Sequence, residues 1–384
     1  MQNWKKWLAK YIDIADEKID ELVYSVRKRL NDFKPVQIVP YRSYGTARRI
    51  YVIGRVLEDK KIAGAGESDN ILDNLVNMYK RFQSDEVPGA VVKTVIQGEE
   101  YEVTTNNEGY FVFDIHPKEP LIAESLWHGI PLQLKSAPIP FDEVNAEAEI
   151  MIPPPDAEYG IISDIDDTIV KTSATDILAM GRNVLLNNAK TRLPFAGVAE
   201  FYKSLQLGRN GKRNNPFFYV SSSPWNMYDL LRDFLVLNNI PEGPLLLRDH
   251  GTNRESLGGG THMGHKFKEI KQILEAYPQL NFILIGDSGQ EDPVIYEEVV
   301  KQFPGRVLGI YIRDVQHAAR EAKAMAIAER LKGVTDMLVM DDTVEAANDA
   351  AAKGLIFREA IPAIVEEKKE DKGEKPGKEE LKPV

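Results

Sequence analysis

The 384-residue sequence has no cysteine, no long apolar run and no excess of positive charge, and each absence excludes something. Without cysteine, disulfides, thiolate metal sites and a cysteine nucleophile are all excluded. No run of about 18 apolar residues occurs, so we expect no membrane-spanning helix. The formal net charge of -11 disfavours nonspecific nucleic-acid binding, and we predict no nucleic-acid partner. Because the N-terminus lacks the apolar segment of a signal peptide, we expect a cytoplasmic protein.

The chain is too long for one ordinary hydrophobic core, and its patterning divides it into four segments. Residues 1–35 repeat apolar side chains at three-to-four spacing and predict an amphipathic helix. Residues 36–152 contain short β-branched and aromatic runs, which predict a small antiparallel β-sandwich without obvious chemistry of its own. Residues 153–362 predict an α/β domain, and the charged residues 363–384 predict a disordered tail.

The predicted N-terminal helix has two interpretations. Trp4, Trp7 and the neighbouring lysines would suit a helix that lies in a membrane interface. The alternative is a helix that packs on the next domain or on a second subunit. The alternative is favoured because anionic lipid would repel a group of acidic side chains, namely Asp13, Asp16, Glu17, Asp20 and Glu21.

Turn signals separate the predicted strands of the second segment. The clearest strands are 49–56, 90–95, 132–134 and 148–152. Residues 101–104 and 110–114 flank a turn rich in asparagine and glycine, so we predict that they pair as a hairpin. A helical pattern at 71–82 interrupts the strands.

After Pro153-Pro154-Pro155, short apolar runs alternate with helical patterns. The runs are 161–163, 217–220, 245–247, 282–285, 307–312 and 337–340. The helical patterns are 199–205, 225–237, 267–277, 294–303 and 316–331. This alternation predicts a parallel sheet with helices on both faces.

Three acids within four residues follow the first of these runs, in Ser163-Asp164-Ile165-Asp166-Asp167-Thr168. Acids at the carboxyl end of a buried strand lie where open α/β sheets bind ligands. Asp164 and Asp166 point to the same side of an extended backbone, and two such carboxylates favour a hard divalent cation between them. A lone acidic pair of this kind would more often cap a turn, so the remaining motifs must decide.

Ser221 and Lys266 are the next candidate positions. Ser221 follows the run 217–220, and we predict that Ser223 caps a helix beginning at Pro224, which leaves Ser221 to bind an anion. Lys266 follows a glycine-rich loop at a helix start, where an anionic partner would offset its repulsion by the helix dipole. His265 is either a second phosphate contact or a solvated loop residue.

Two further acidic strand ends have different predicted roles. Asp287 follows the run 282–285 and would complete a metal site, with Asp292 or Glu291 orienting a metal-bound water or Lys266. Asp341 and Asp342 follow the run 337–340, but we predict that they cap the next helix and have no catalytic role.

Together these residues resemble the haloacid dehalogenase superfamily of phosphatases over roughly residues 155–360. The match consists of Asp164-x-Asp166-x-Thr168, Ser221, Lys266, and Asp287 with Asp292. The longer motifs are similar to the actin-patch-type phosphatidate phosphatases and their bacterial relatives. These motifs are Ser163-Asp-Ile-Asp-Asp-Thr-Ile, Tyr219-Val-Ser-Ser-Ser-Pro-Trp and Ile285-Gly-Asp-Ser-Gly-Gln-Glu-Asp-Pro.

The resemblance implies a haloacid dehalogenase-like domain and a Mg²⁺-dependent phosphatase that works through an aspartyl-phosphate. Asp164 would be the nucleophile, Asp166 the proton carrier, and Lys266 the cation that neutralises charge in the transition state. The implied substrate-binding residues are Thr168, Ser221 and Ser222. The implied metal ligands are Asp164, Asp166, Asp287 and Asp292.

Spacing bears on the substrate. The intervals from Asp164 to Ser221 and from Ser221 to Lys266 leave little room for a large lid, although residues 177–186 could form a small one. An open site favours phosphatidate or a related lipid phosphate and peripheral contact with a membrane. The alternatives are a phosphatase for a soluble sugar phosphate, nucleotide or phosphoprotein, and a non-catalytic adaptor. The basic loop 209–213 is either a headgroup contact or an ordinary solvated loop.

Overall fold

The computed structural model describes residues 35–58, 86–165, 168, 196–248, 262–315 and 317–372. The predicted N-terminal helix up to residue 34, the helical pattern at 71–82 and the candidate lid at 177–186 lie outside these ranges. Asp166 also lies outside them. None of the helices in the described ranges combines the length and the apolar character that crossing a bilayer requires.

The first eight strands form one sheet, which we call the β-domain. The strands are β1 (Val36–Pro40), β2 (Ser43–Thr46), β3 (Arg49–Glu58), β4 (Val91–Ile96), β5 (Glu99–Thr104), β6 (Tyr110–Ile115), β7 (Trp127–Ser136) and β8 (Asn145–Met151). Their order is β1-β3-β2-β8-β7-β4-β5, with β6 on the other side of β3. All pairs are antiparallel except that of β2 with β8. The described strands are therefore joined by hydrogen bonds into one mostly antiparallel sheet, and the predicted sandwich stays a prediction.

The predicted hairpin between residues 101–104 and 110–114 is wrong. β5 pairs with β4, whereas β6 pairs with β3. The tight turn lies instead at Gln97 and Gly98, whose φ angles of 52° and 79° match a two-residue hairpin loop. The turn rich in asparagine and glycine is present, since Gly109 N–H donates to the carbonyl of Asn106 (3.0 Å). The partners of the strands on either side, however, are selected by long-range burial that a local pattern does not contain.

The remaining strands form a second, six-stranded sheet, which confirms the predicted parallel sheet. Its strands are β9 (Gly160–Asp164), β10 (Phe217–Pro224), β11 (Leu245–Arg248), β12 (Phe282–Asp287), β13 (Val307–Arg313) and β14 (Met337–Met340). They lie in the order β11-β10-β9-β12-β13-β14, and every pair is parallel. Every residue of β9 is buried, as expected for a parallel strand covered on both faces.

Helices cover both faces of the parallel sheet. They are α1 (Val198–Leu207), α2 (Tyr228–Leu237), α3 (His262–Ala276), α4 (Asp292–Gln302), α5 (Ala318–Leu331), α6 (Thr343–Ala352) and α7 (Ile361–Asp371). One hydrophobic core joins the sheet to α1, α2, α6 and α7, and a second joins it to α3, α4 and α5. The predicted α/β layering is thus confirmed for the described part of the chain.

The strand order places a crevice beside β9. From β9 the chain continues to β10 and β11 on one side, and then returns to β12, β13 and β14 on the other. Ligands of open α/β sheets bind at such a reversal point, outside the carboxyl ends of the strands. Asp164 ends β9 and Asp287 ends β12, so both acids lie at this point.

Helix α7 corrects the prediction of a disordered tail for residues 363–372. Ile364 is fully buried in the core that contains α1. Two acids of α7 accept hydrogen bonds from the amino end of α1: Gly197 N–H donates to Asp371 (2.8 Å) and Glu200 N–H donates to Glu367 (2.7 Å). These hydrogen bonds are tertiary contacts, which a local sequence pattern does not contain. The charged composition alone therefore predicted disorder for a segment that forms a packed helix.

The cap at Glu367 is expected to make stability depend on pH. Burial raises the pKa of Glu367 to about 7, and nearby Asp371 acts in the same direction. Its contribution to stability is therefore complete below the unfolded pKa of 4.5 and is lost as the pH rises through about 7. We expect Glu367→Gln to raise the melting temperature at pH 8 and to leave it unchanged at pH 4, measured by circular dichroism. The exposed neighbour variant Glu366→Gln is the control, and an equal shift at both pH values would contradict the prediction.

Candidate active site

Asp164 lies at the centre of the site, at the buried end of β9. It is 1% exposed, and its carboxylate oxygen Oδ1 lies 2.7 Å from Nζ of Lys266. Its other oxygen, Oδ2, lies 3.4 Å from Oγ1 of Thr168. The same Thr168 hydroxyl lies 3.4 Å from Oδ2 of Asp287. Carboxylate oxygens from β9 and β12 thus converge on one point next to Thr168.

Asp287 is fixed by the turn that follows β12. Its Oδ1 accepts hydrogen bonds from the backbone N–H groups of Gly289 (2.5 Å) and Gln290 (3.0 Å). This arrangement turns Oδ2 towards Thr168 and Asp164. Gly286 is required just before it, because a Cβ there would lie 2.5 Å from Oδ2 of Asp292.

Lys266 lies between two carboxylates in the second turn of α3. Its Nζ is 2.7 Å from Oδ1 of Asp164 and 2.7 Å from Oδ1 of Asp292, and the residue is only 3% exposed. Burial alone would lower the pKa of Lys266, but the two carboxylates outweigh burial and raise the pKa, so Lys266 is a cation. Asp292 also accepts a hydrogen bond from the backbone N–H of Asp287 (3.2 Å). Asp292 therefore orients Lys266, which is one of the two roles predicted for it.

Glu291 was the other predicted candidate for that role, and the structure excludes it. Its carboxylate is half exposed and pairs with Lys323 at 2.8 Å.

The sequence did not single out Gln290, which lies in the site. Gln290 Oε1 accepts from Lys266 Nζ at 3.2 Å, and its Nε2 lies 3.5 Å from Oδ2 of Asp164. Its position between Asp287 and Asp292 was the only available signal.

Ser221 and Ser222 follow the carboxyl end of β10. Val220 of β10 pairs with Asp164 of β9 in the parallel ladder. Ser221 therefore lies one residue further along β10 than the residue that pairs with Asp164. Ser221 is fully buried, and its Oγ accepts from the backbone N–H of Ser223 (2.9 Å). The buried Oγ of Ser222 has no hydrogen-bond partner within the described ranges. A buried hydroxyl of this kind fits a hydrogen bond to an oxygen of a bound ligand.

The predicted N-cap at Ser223 is wrong. The strand continues through Pro224, and a single 3₁₀ turn (Trp225–Met227) precedes α2. Pro224 occupies the cap position in extended conformation, and no side chain caps this turn. The motif Ser-Pro therefore ends a strand here instead of beginning a helix.

His265 does not fit the interpretation as a solvated loop residue, and its contact with a phosphate stays a prediction. It lies in the first part of α3, and its side chain is 16% exposed, so it is not a solvated loop residue. Burial and the nearby positive charge of Arg248 lower the pKa of His265 to about 4. Its imidazole is therefore neutral at physiological pH and adds no positive charge for a phosphate.

The donor set fits a divalent metal ion. Asp164, Asp287 and Asp292 each offer a carboxylate oxygen, and these atoms lie within 4.8 Å of one another. Among the described residues of the site, three buried carboxylates lie near one cation, Lys266, which leaves an excess of negative charge that a divalent ion would balance. Oxygen ligands of this kind suit Mg²⁺.

Asp342 occupies the helix-capping role that the sequence predicts for it. It is the N-cap of α6, where its side chain accepts from the backbone N–H of Val344 (2.8 Å), and it pairs with Lys368. We expect Asp342→Ala to cost about 1 kcal/mol of unfolding free energy, measured by urea denaturation. Activity should not change, and Asp342→Asn, which keeps the cap, should retain most of the stability. A loss of turnover in both variants would give Asp342 a catalytic role.

The basic loop 209–213 lies at the amino end of β9, opposite the site. Backbone N–H groups of Arg209 and Asn210 donate to Glu158, and Lys212 pairs with Asp156. Glu158 and Asp156 precede β9, whereas Asp164 ends it. The loop therefore forms ordinary surface contacts and does not border the candidate site.

Comparison with known proteins shows what the segment that contains the site is similar to. Residues 159–314 match the model of the family described as phosphatidate phosphatase APP1, catalytic domain. The segment that holds Asp164, Ser221, Lys266 and Asp287 lies within these limits. Residues 159–314 are thus similar to an APP1-type catalytic domain. Across 155 residues, the chain is 38% identical to phosphatidate phosphatase APP1 of Saccharomyces cerevisiae. The aligned segment covers 40% of this chain and 25% of the yeast protein.

A second relative extends the similarity beyond the APP1-type domain. The chain is 26% identical over 230 residues to an uncharacterized protein of Schizosaccharomyces pombe, covering 56% of this chain and 35% of that protein. The chain thus spans about a quarter to a third of the length of these relatives. A solved carbohydrate acetylesterase from Xanthomonas citri matches with a TM-score of 0.25 and 10% identity over 79% of this chain and 68% of its own. A similarity this weak supports no conclusion about fold or function.

Proposed function

We propose that the protein hydrolyses a phosphomonoester through an aspartyl-phosphate on Asp164, and that the substrate is phosphatidate or a related lipid phosphate. The observation that carries the proposal is the buried group of Asp164, Lys266 and Asp287 at the ends of β9 and β12. The 38% identity of this region to yeast phosphatidate phosphatase supports the lipid substrate. We also propose that the domain has a haloacid dehalogenase-like fold.

In the first step Asp164 attacks phosphorus with a carboxylate oxygen, and the bond from phosphorus to the leaving alkoxide oxygen breaks. Lys266 holds Asp164 through a 2.7 Å contact and neutralises negative charge that builds up on the phosphoryl oxygens. Asp292, on the other side of Lys266, keeps the ammonium group in place. Asp166 donates a proton to the leaving oxygen in this proposal, as the sequence motif implies.

In the second step water attacks the aspartyl-phosphate and releases inorganic phosphate and free Asp164. Asp166 accepts the proton of that water. Thr168, Ser221 and Ser222 bind phosphoryl oxygens, and the buried hydroxyl of Ser222 supports this role. Asp164 and Asp287, with Asp166, would hold Mg²⁺, which when bound offsets negative charge on the phosphoryl group.

The location of the protein is part of the proposal. We propose a cytoplasmic protein that contacts a membrane surface peripherally, because a phosphate on a lipid headgroup lies at such a surface.

The Mg²⁺ proposal has a direct test. Magnesium should raise the melting temperature of the wild-type chain and of Asp341→Asn, but not of Asp287→Asn. An equal shift in all three chains would place the metal elsewhere.

A phosphate-release screen tests the substrate. The full chain is assayed with Mg²⁺ on phosphatidate in mixed micelles and on soluble sugar phosphates, nucleotides and phosphopeptides. Release from phosphatidate that is lost in Asp164→Asn supports the proposal. Turnover confined to soluble monoesters would replace the lipid substrate with a soluble one. Absence of turnover on every monoester would favour a binding protein instead of an enzyme.

A further inference from the structure

The corner between β1 and β2 lies against the turn that follows Ser221. Tyr41, in this corner, stacks on Trp225 with ring centroids 5.3 Å apart and an interplanar angle of 12°. It also lies against Tyr228, with centroids 4.2 Å apart. Trp225 comes directly after the Ser221–Pro224 segment, and Tyr228 begins α2. A residue of the β-domain therefore contacts the segment that carries the proposed phosphoryl contacts.

Tyr41 is held firmly within the β-domain. Its backbone N–H donates to the carbonyl of Ile53 in β3 (2.9 Å), and its own carbonyl accepts from Oγ of Ser43 (2.8 Å). The ring is buried and lies 6.3 Å from the ring of Tyr110 in β6. The β-domain thus presents a rigid aromatic surface to Trp225.

Arg42 strengthens the same contact. Its backbone N–H donates to the hydroxyl of Tyr228 (2.6 Å), next to the aromatic stack. Its guanidinium pairs with Glu242 of the α/β domain (2.6 Å) and with Glu149 of β8 (3.2 Å). The aromatic contacts and the Arg42 N–H therefore connect the β1–β2 corner to the start of α2, and the pair with Glu242 connects it to the loop that follows α2.

The strand ladder that holds β10 becomes irregular in the Ser221–Pro224 segment. Regular pairing of β10 with β9 ends at Val220, and the pairing with β11 becomes irregular after the same residue. No side chain caps the 3₁₀ turn that begins at Trp225. The stack with Tyr41 therefore contacts this segment from another domain, beyond the point where the regular pairing of β10 with β9 ends.

We propose that Tyr41 is a positioning residue, which holds the Ser221–Trp225 segment in place for the phosphoryl group, so that the β-domain completes the active site. This inference rests on the proposed function, because it takes Ser221 and Ser222 as phosphoryl contacts. A small displacement of binding groups costs an enzyme much of its rate, so support for this segment affects both binding and turnover.

A second contact between the domains provides a matched control. Tyr44 of β2 meets Phe218 edge-on at 5.7 Å, and the hydroxyl of Tyr277 donates to the carbonyl of Gly45 (2.8 Å). Phe218 lies near the start of β10, away from Ser221. Tyr44→Leu weakens the association of the domains without touching the Ser221–Trp225 segment.

The test uses the full chain with Mg²⁺ and measures three quantities: the affinity for inorganic phosphate by calorimetry, and KM and kcat for a phosphomonoester. We expect Tyr41→Leu to weaken phosphate binding and to raise KM, each about 10-fold. Tyr41→Phe, which keeps the stack, and Tyr44→Leu should stay within about 2-fold of the wild type. Equal weakening in Tyr41→Leu and Tyr44→Leu, or unchanged binding in Tyr41→Leu, would overturn the inference.

A double-mutant cycle separates positioning from loss of stability. Trp225→Leu removes the same stack from the other side and leaves the β-domain intact, so it also serves if Tyr41→Leu does not fold. If Tyr41 acts through Trp225, the double variant should bind phosphate about as weakly as either single variant. Additive losses would overturn the inference. Phosphate binding without turnover in the wild type rejects only the proposed function, whereas absence of phosphate binding rejects both.

Discussion

Asp164→Asn is expected to lower kcat for phosphomonoester hydrolysis by at least about 10⁴-fold, because an amide cannot form the acyl-phosphate that divides the reaction into two steps. The neighbouring groups should remain, since Lys266 still contacts Asp292 at 2.7 Å. Single-turnover phosphate release measures the loss. Acid quenching with labelled substrate should trap phosphate on the wild-type chain and not on Asp164→Asn.

The same variant should not be less stable than the wild type. Asp164, Asp287 and Asp292 are all buried, so removing one negative charge relieves repulsion among them. The matched control is Asp341→Asn, which changes an exposed acid at the end of another strand and should keep full activity. If Asp164→Asn retains a tenth of the wild-type rate with its melting temperature unchanged, Asp164 is not the nucleophile.

Lys266→Met is expected to destabilise the fold by about 3–5 kcal/mol and to lower kcat by about 10²–10³-fold. The first effect arises because Lys266 is 3% exposed and is the cation that compensates Asp164 and Asp292, each 2.7 Å from its Nζ. Removing it leaves both carboxylates buried without compensation. Urea denaturation gives the stability loss, and steady-state kinetics at a temperature where the variant is folded give the rate.

A matched lysine and a second substitution make this prediction sharper. Lys323 pairs with Glu291 at the surface, so Lys323→Met should change stability by less than about 1 kcal/mol. Adding Asp292→Asn to Lys266→Met should recover part of the lost stability, because one uncompensated buried charge disappears. A double variant less stable than Lys266→Met would show that Lys266 stabilises the fold by packing and not by charge.

Local patterns were sufficient for the strands of the parallel sheet and for helices α1 to α5. Each predicted apolar run from 161–163 to 337–340 lies within a strand of the parallel sheet, and the helical patterns fall on α1 to α5 within a few residues at their ends. Parallel strands buried on both faces leave continuous apolar runs, and the polar residues that follow them mark the carboxyl edge. For the same reason the amino-acid pattern alone is enough to place Asp164, Ser221 and Asp287 at that edge.

In the β-domain, local sequence patterns did not predict which strands pair with one another. The strands β1 and β2 were missed, because each is short and acquires its character only from pairing with β3. β5 and β6 were paired with each other, although their partners are β4 and β3. Half-buried strands alternate in the same way whichever neighbour they have, so register and partner come from packing.

The positions of the candidate site residues follow from the sequence, because acids and a lysine at strand and helix ends occupy an edge that the α/β alternation predicts. Only the tertiary structure shows which of these side chains contact one another. Asp292 binds Lys266 while Glu291 faces solvent, and Gln290 enters the site, since the turn after β12 sets their directions. The contact of Tyr41 with Trp225 joins residues far apart in the chain, and nothing in the local pattern at either position encodes it.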